Sequence, residues 1–102
     1  MKILNENNLE KYLLNTKYVL VDFYATWCGP CAMQTKVLEE YDNIKSEDLE
    51  IIKINVDTLS EIADKYNIVA VPTLVLFKDG EAIYRHEGYL DLESLNRKIK
   101  SV

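Results

Sequence analysis

Tyr18-Val19-Leu20-Val21-Asp22-Phe23-Tyr24-Ala25-Thr26-Trp27-Cys28-Gly29-Pro30-Cys31 is the stretch that decides the fold. Its first half is a β-branched and aromatic run, the pattern of a strand buried on both faces. Its second half opens a helix near Cys28, with Pro30 in the first turn, where a missing N–H leaves no hydrogen bond unmade. Both cysteines of the chain lie at that junction. Residues three apart on a helix share a face, and a Cα separation of roughly 5–6 Å is one that a disulfide tolerates. Helix N-termini carry unpaired N–H groups and the positive end of the macrodipole, which stabilise a thiolate. Cys28, nearer the helix start and the loop, reads as the exposed nucleophile. Cys31, one turn deeper, reads as the resolving thiol.

Outward from this junction, strand and helix patterns alternate. Glu50 to Val56 reads as a second buried strand, and Thr73 to Lys78 and Glu81 to Glu87 flank Asp79-Gly80, a strong hairpin signal. Met33, Val37, Leu38, Tyr41 and Ile44 recur at helical spacing, with Gln34, Lys36, Glu39 and Glu40 expected on the solvent side. Leu59, Ile62, Ala63 and Tyr66 mark a short helix, and Asp91 caps a last helix that is expected to bury Leu92, Leu95, Ile99 and Val102. Leu9, Tyr12 and Leu13 mark a first helix, after a short edge strand at Met1 to Leu4. The order β-α-β-α-β-α-β-β-α predicts an α/β fold. Its mixed five-stranded central sheet, parallel where helices cross over and antiparallel at the hairpin, is flanked by four helices.

Composition narrows the function. A length of 102 residues suits a single domain, 1–102, with one core. Hydrophobic residues at 48% and charged residues at 28% mark a globular chain. A net charge of −5 speaks against nucleic-acid binding, and no apolar run approaches the roughly 20 residues that cross a bilayer. Met1 to Glu10 lacks the apolar segment of a secretory signal, so cytoplasmic residence is expected. A disulfide closing so short a loop adds little stability by constraining the unfolded chain, and in the cytoplasm such pairs are redox-active more often than structural. Zinc needs about four ligands, and beyond the cysteines only His86 and carboxylates remain, so no metal is expected.

Further motifs bring out a family. Val21-Asp22-Phe23-Tyr24-Ala25, Trp27-Cys28-Gly29-Pro30-Cys31, Val71-Pro72-Thr73, Lys78-Asp79-Gly80 and Gly88 stand in one register over nearly the full length. In this the chain resembles the thioredoxins. The resemblance implies a protein disulfide reductase: Cys28 attacks a substrate disulfide, and Cys31 then resolves the mixed disulfide. It implies disulfide-containing substrate proteins and a thioredoxin reductase as partners, a monomer, and no cofactor of its own; no Gly-rich nucleotide motif is present. The other reading is a non-catalytic binding subunit that uses the same fold as a scaffold.

Several positions support the cysteines. Asp22 is the lone carboxylate in an apolar strand, on the face of Leu20 and Tyr24, and is expected to be buried. The resemblance makes it the acceptor of the Cys31 proton, with Lys53 moderating its charge. It also implies a cis bond at Val71–Pro72, tuning by Gly29 and Pro30, and a substrate surface of Trp27, Ala70, Val71, Pro72 and Gly88. Trp27 is expected to pack under or beside the active-site loop. His86 and the seven tyrosines carry no functional pattern. The chain departs from the family at Ala32, where a basic residue is common, at Lys36, where many relatives carry a kinking proline, and at Tyr24. Glu87 and Tyr89 flank Gly88 on a rim usually small or apolar, and Glu87 is expected to disfavour acidic substrates.

Overall fold

The computed structural model describes residues 1–102. The elements are β1 (Lys2–Ile3), α1 (Leu9–Asn15), β2 (Tyr18–Tyr24), α2 (Gly29–Asp42), β3 (Leu49–Asn55), α3 (Ser60–Lys65), β4 (Thr73–Lys78), β5 (Glu81–Glu87) and α4 (Leu92–Lys100). They form one sheet in the order β1-β3-β2-β4-β5. β3 pairs in parallel with β1 and β2, while β4 runs antiparallel to β2 and β5. The apolar run Val19 to Phe23 accordingly takes the middle of the sheet, where it is buried on both faces.

Alternation along the strands divides the core into two layers. Val19, Val21 and Phe23 join Ile52, Ile54, Val75 and Phe77 beneath Leu9 and Leu13 of α1 and Ile62 of α3. On the opposite face Leu20, Ile51, Leu74 and Leu76 meet Val37, Leu38 and Tyr41 of α2 and Leu95 of α4. Tyr66 stands edge-on to Phe77, with ring centres 5.3 Å apart. Truncating Phe77 to Ala there costs about 3–5 kcal/mol.

The hairpin turn forms at Asp79 and Gly80, whose φ values of 50° and 84° place both in the left-handed region that a type I′ turn needs. Because β4 runs opposite to β2, the start of β4 and the end of β5 come to the same end of the sheet as the β2–α2 junction. Three separate segments, near residues 28, 72 and 88, therefore converge on one end of the molecule.

The helix faces differ from the sequence expectation in one respect that matters. On α2 the buried residues are Cys31, Gln34, Val37, Leu38 and Tyr41, whereas Met33 is 55% exposed. Gln34 takes the inward place because both polar ends of its amide find backbone partners, so its burial leaves nothing unpaired. Ile44, expected inside, is 56% exposed because the helix stops at Asp42. Val102 likewise lies exposed beyond the end of α4. The second buried strand spans Leu49–Asn55, one residue earlier than its apolar pattern suggests.

Candidate functional site

Cys28 is the N-cap of α2: its backbone is extended, and its Sγ accepts a hydrogen bond from the Cys31 N–H at 3.2 Å. The capping atom of this helix is thus a sulfur, which occupies the site where orphan N–H groups favour negative charge. Cys28 and Cys31 are joined as a disulfide, with their Cα atoms 5.2 Å apart. Cys28, expected to be exposed, is buried against Val71 and the disulfide at 9% exposure, though it is more accessible than Cys31 at 2%. A Cβ on Gly29 would project into open space, so packing does not demand a glycine there.

Val71 and Pro72 stand beside the disulfide, joined by a cis peptide bond. The Val71 carbonyl oxygen lies 3.7 Å from the Cys28 sulfur. The Val71 N–H donates to no group in the chain, leaving an edge of free backbone next to the sulfurs. Thr73 closes the turn by donating from its hydroxyl to the Ala70 carbonyl at 2.6 Å, and Ala70 is exposed. Gly88, with φ 95°, donates its N–H to the Pro72 carbonyl at 2.7 Å, so a second wall is tied to the first. The left-handed backbone explains a glycine at this position.

Behind the disulfide, on the α2 face of β2, lies Asp22. Its side chain is fully buried, and neither carboxylate oxygen has a hydrogen-bond partner. Lys53 is its cross-strand neighbour on β3, with Nζ 3.8 Å from the carboxylate. That ammonium is held elsewhere: it donates to the Thr35 hydroxyl and sits 4.4 Å from the centre of the Tyr24 ring. Burial pushes the Asp22 carboxyl up to about 6 from its ordinary 3.8, and the Lys53 charge offsets only part of the rise. Burial, and then the Asp22 charge, also raise the Tyr24 phenol. A cleft of about 390 Å³, lined by Tyr24, Cys28, Cys31, Ala32, Thr35 and Lys53, runs from the sulfurs to Lys53, the cation paired with Asp22.

Trp27 lies beside the loop rather than under it. It is 72% exposed, and its indole N–H donates to Asp57 at 2.9 Å. Glu87 does not present a bare charge to the rim, because Arg85 reaches it at 3.2 Å. The Arg85 guanidinium also donates to the Tyr66 and Asn67 carbonyls, so this pair is fixed against the loop before β4.

The structure therefore brings Cys28, Cys31, Ala70, Val71, Pro72 and Gly88 to one surface, with Asp22 and Lys53 beneath it. Three contributors escaped the sequence reading: Thr35, Asp57 and Gln34. For Gln34 a signal existed, since it lies one turn from Cys31 on the same helix face. For Thr35 and Asp57 none did, because their partners are 18 and 30 residues away.

Comparison with known proteins agrees with this geometry. The family profile described as Thioredoxin matches residues 1–101. The thioredoxin of Mycobacterium tuberculosis is 41% identical over 102 residues, covering 100% of this chain and 88% of that protein. That of Alicyclobacillus acidocaldarius is 37% identical over 99 residues, covering 97% and 94%. Among solved structures, a mutant thioredoxin from Halobacterium salinarum superposes with a TM-score of 0.89 at 37% identity, covering 99% of this chain and 88% of that one. Chloroplastic thioredoxin z gives 0.88 at 26% identity, covering 99% and 92%. With its cysteine pair closed at the head of α2, this chain belongs to the thioredoxin family of dithiol–disulfide oxidoreductases, whose members generally work with thioredoxin reductase and disulfide-bonded substrates.

Proposed function

We propose that the chain works as a protein disulfide reductase in which Cys28 attacks, Cys31 resolves and Asp22 handles the proton. The Cys28 thiolate attacks one sulfur of a substrate disulfide, forming a mixed disulfide and releasing the other sulfur as a thiolate. Ionised Asp22 takes the Cys31 proton. The Cys31 sulfur then attacks Cys28, closing the intramolecular disulfide and releasing the second substrate thiolate. Two electrons pass from the cysteine pair to the substrate, and a thioredoxin reductase drawing on an external reductant restores the dithiol.

The observation that carries this reading is the sulfur of Cys28 capping α2, where helix N–H groups favour the thiolate that must attack. Asp22 suits its role because a carboxyl with a value of about 6 is largely ionised at neutral pH yet basic enough to accept a proton. Lys53 keeps that charge tolerable. Trp27, Ala70, Val71, Pro72 and Gly88 receive an extended substrate segment, which pairs with the free Val71 backbone as an added strand would. Gly29 and Pro30 shape the turn between the sulfurs. Such a carrier acts as a monomer, because the groove must stay open to another protein. Reduction as the working direction suits a cytoplasmic setting.

Trapping tests the assignment. Cys31→Ser accumulates a mixed disulfide with insulin chains through Cys28, and Cys28→Ser forms none. Asp22→Asn slows resolution at neutral pH while leaving the first attack near its wild-type rate. A trapped adduct through Cys31, or an unchanged resolution rate in Asp22→Asn, would remove the corresponding role.

A further inference from the structure

A buried glutamine on the active-site helix has a geometry that its surroundings do not require for packing alone. Gln34 is 0% exposed and lies one helical turn after Cys31, on the same inward face. Its Nε2 donates to the Leu90 carbonyl at 3.0 Å, and its Oε1 accepts from the Leu90 N–H at 2.8 Å. Both backbone groups of one loop residue are thus satisfied by one side chain, much as a neighbouring strand would satisfy them. The orientation of the amide is determined, because the flipped form would set N–H against N–H and oxygen against oxygen.

Leu90 ends the segment Gly88-Tyr89-Leu90 between β5 and α4. At its other end, Gly88 donates to the Pro72 carbonyl, and His86 Nε2 lies 3.3 Å from the Tyr89 carbonyl. The hydrogen-bond ties run along the groove, from Gln34 on α2 through Leu90 to Gly88 on one wall and on to Pro72 on the other, where the Val71 carbonyl lies 3.7 Å from the Cys28 sulfur. Tyr89, 41% exposed, projects from the part of the wall held between these ties.

We propose that Gln34 is a positioning residue that latches the Gly88–Leu90 wall to the active-site helix and so sets the groove width for extended protein disulfides. Gln34 touches neither the sulfurs nor the substrate. It acts through Leu90, and its loss lets the wall move while the sulfur chemistry stays intact. The inference rests on the reading above that Val71 and Gly88 border the substrate groove.

Gln34→Met retains length and volume and removes both hydrogen bonds, with Gln34→Leu as a second apolar variant. Steady-state reduction of insulin is compared with reduction of bis(2-hydroxyethyl) disulfide, too small to span the groove. Both variants are expected to raise KM for insulin about five- to tenfold, with kcat and the small-disulfide rate constant unchanged. Val71→Asp serves as the groove control and also raises KM for insulin. An unchanged insulin KM in the Gln34 variants alongside a raised one in Val71→Asp overturns the latch alone, as does an equal loss on both substrates. An unchanged KM in Val71→Asp removes the groove reading and the latch with it. Amide exchange in the unmodified protein gives a folding-independent check: the Leu90 N–H must be protected to the degree of the α2 interior, and free exchange overturns the proposal.

Discussion

Replacing Asp22 by Asn is expected to stabilise the folded protein at neutral pH while slowing its reaction. Burial raises the carboxyl from its ordinary 3.8 to about 6, a value that already includes the attraction of Lys53. The gap corresponds to about 3 kcal/mol of preference for the protonated form in the folded chain. Between about pH 4 and 6 the folded protein keeps a proton that the unfolded chain has released, so stability falls as pH rises through that window. Above it the ionised group remains buried without a hydrogen bond, and the full cost persists. Asn carries the same shape with no charge. Urea denaturation of the oxidised forms, followed from about pH 4 to pH 8, should therefore show the variant gaining on wild type with pH. The difference should begin near zero and approach about 3 kcal/mol above neutrality. Asp22→Leu, which also removes the orphaned oxygens, should show the same flat pH dependence. A variant no more stable than wild type at pH 7.5, or a difference that does not change with pH, would refute the reasoning.

Other substitutions probe the surrounding contacts. Thr35→Val removes the hydroxyl that holds the Lys53 ammonium, so Lys53 can approach Asp22 and the carboxyl titrates below its present value of about 6; a carbon-13 NMR titration that shows no fall contradicts this. Asp57→Ala frees the indole of Trp27, the only tryptophan, and should lower the fluorescence anisotropy of the protein; unchanged anisotropy would mean the hydrogen bond does not restrain the ring. Asp91→Ala removes the side chain that accepts the Ser94 N–H at the start of α4 and should lower the thermal midpoint at neutral pH. Because hydrogen bonds from Ser94 hold the Asp91 carboxyl below its ordinary value, that deficit should vanish as acid protonates it in wild type, and a deficit that persists in strong acid would argue for another cause.

Much of the architecture was legible because it rests on local pattern. The apolar run at Val19 to Phe23, the Asp79-Gly80 turn and the capping Asp91 each announce a structure within a few residues. The cysteine pair was legible for the same reason. The polar contacts that fix its surroundings were not, since they depend on which residues the topology makes neighbours. Gln34 looks like a surface residue until Leu90 arrives from 56 positions away to satisfy it. Glu87 looks like an exposed charge until Arg85, anchored on the Tyr66 and Asn67 carbonyls, turns toward it. Polar residues read poorly in isolation because their place depends on partners, whereas apolar periodicity carries its own instruction.

The convergence of distant segments on one end of the sheet also governs when the protein becomes competent during its synthesis. The contact between Cys28 and Val71 spans 43 residues, and that between Gln34 and Leu90 spans 56. A ribosome-bound chain that has exposed only its first half carries both thiols but no groove beside them. Substrate recognition arises only after the β4–β5 hairpin docks onto β2, a long-range step that comes late in the ordering of such a sheet. Nascent chains stalled before and after the emergence of Leu90 should accordingly differ in their ability to reduce a protein disulfide, although their cysteines are the same.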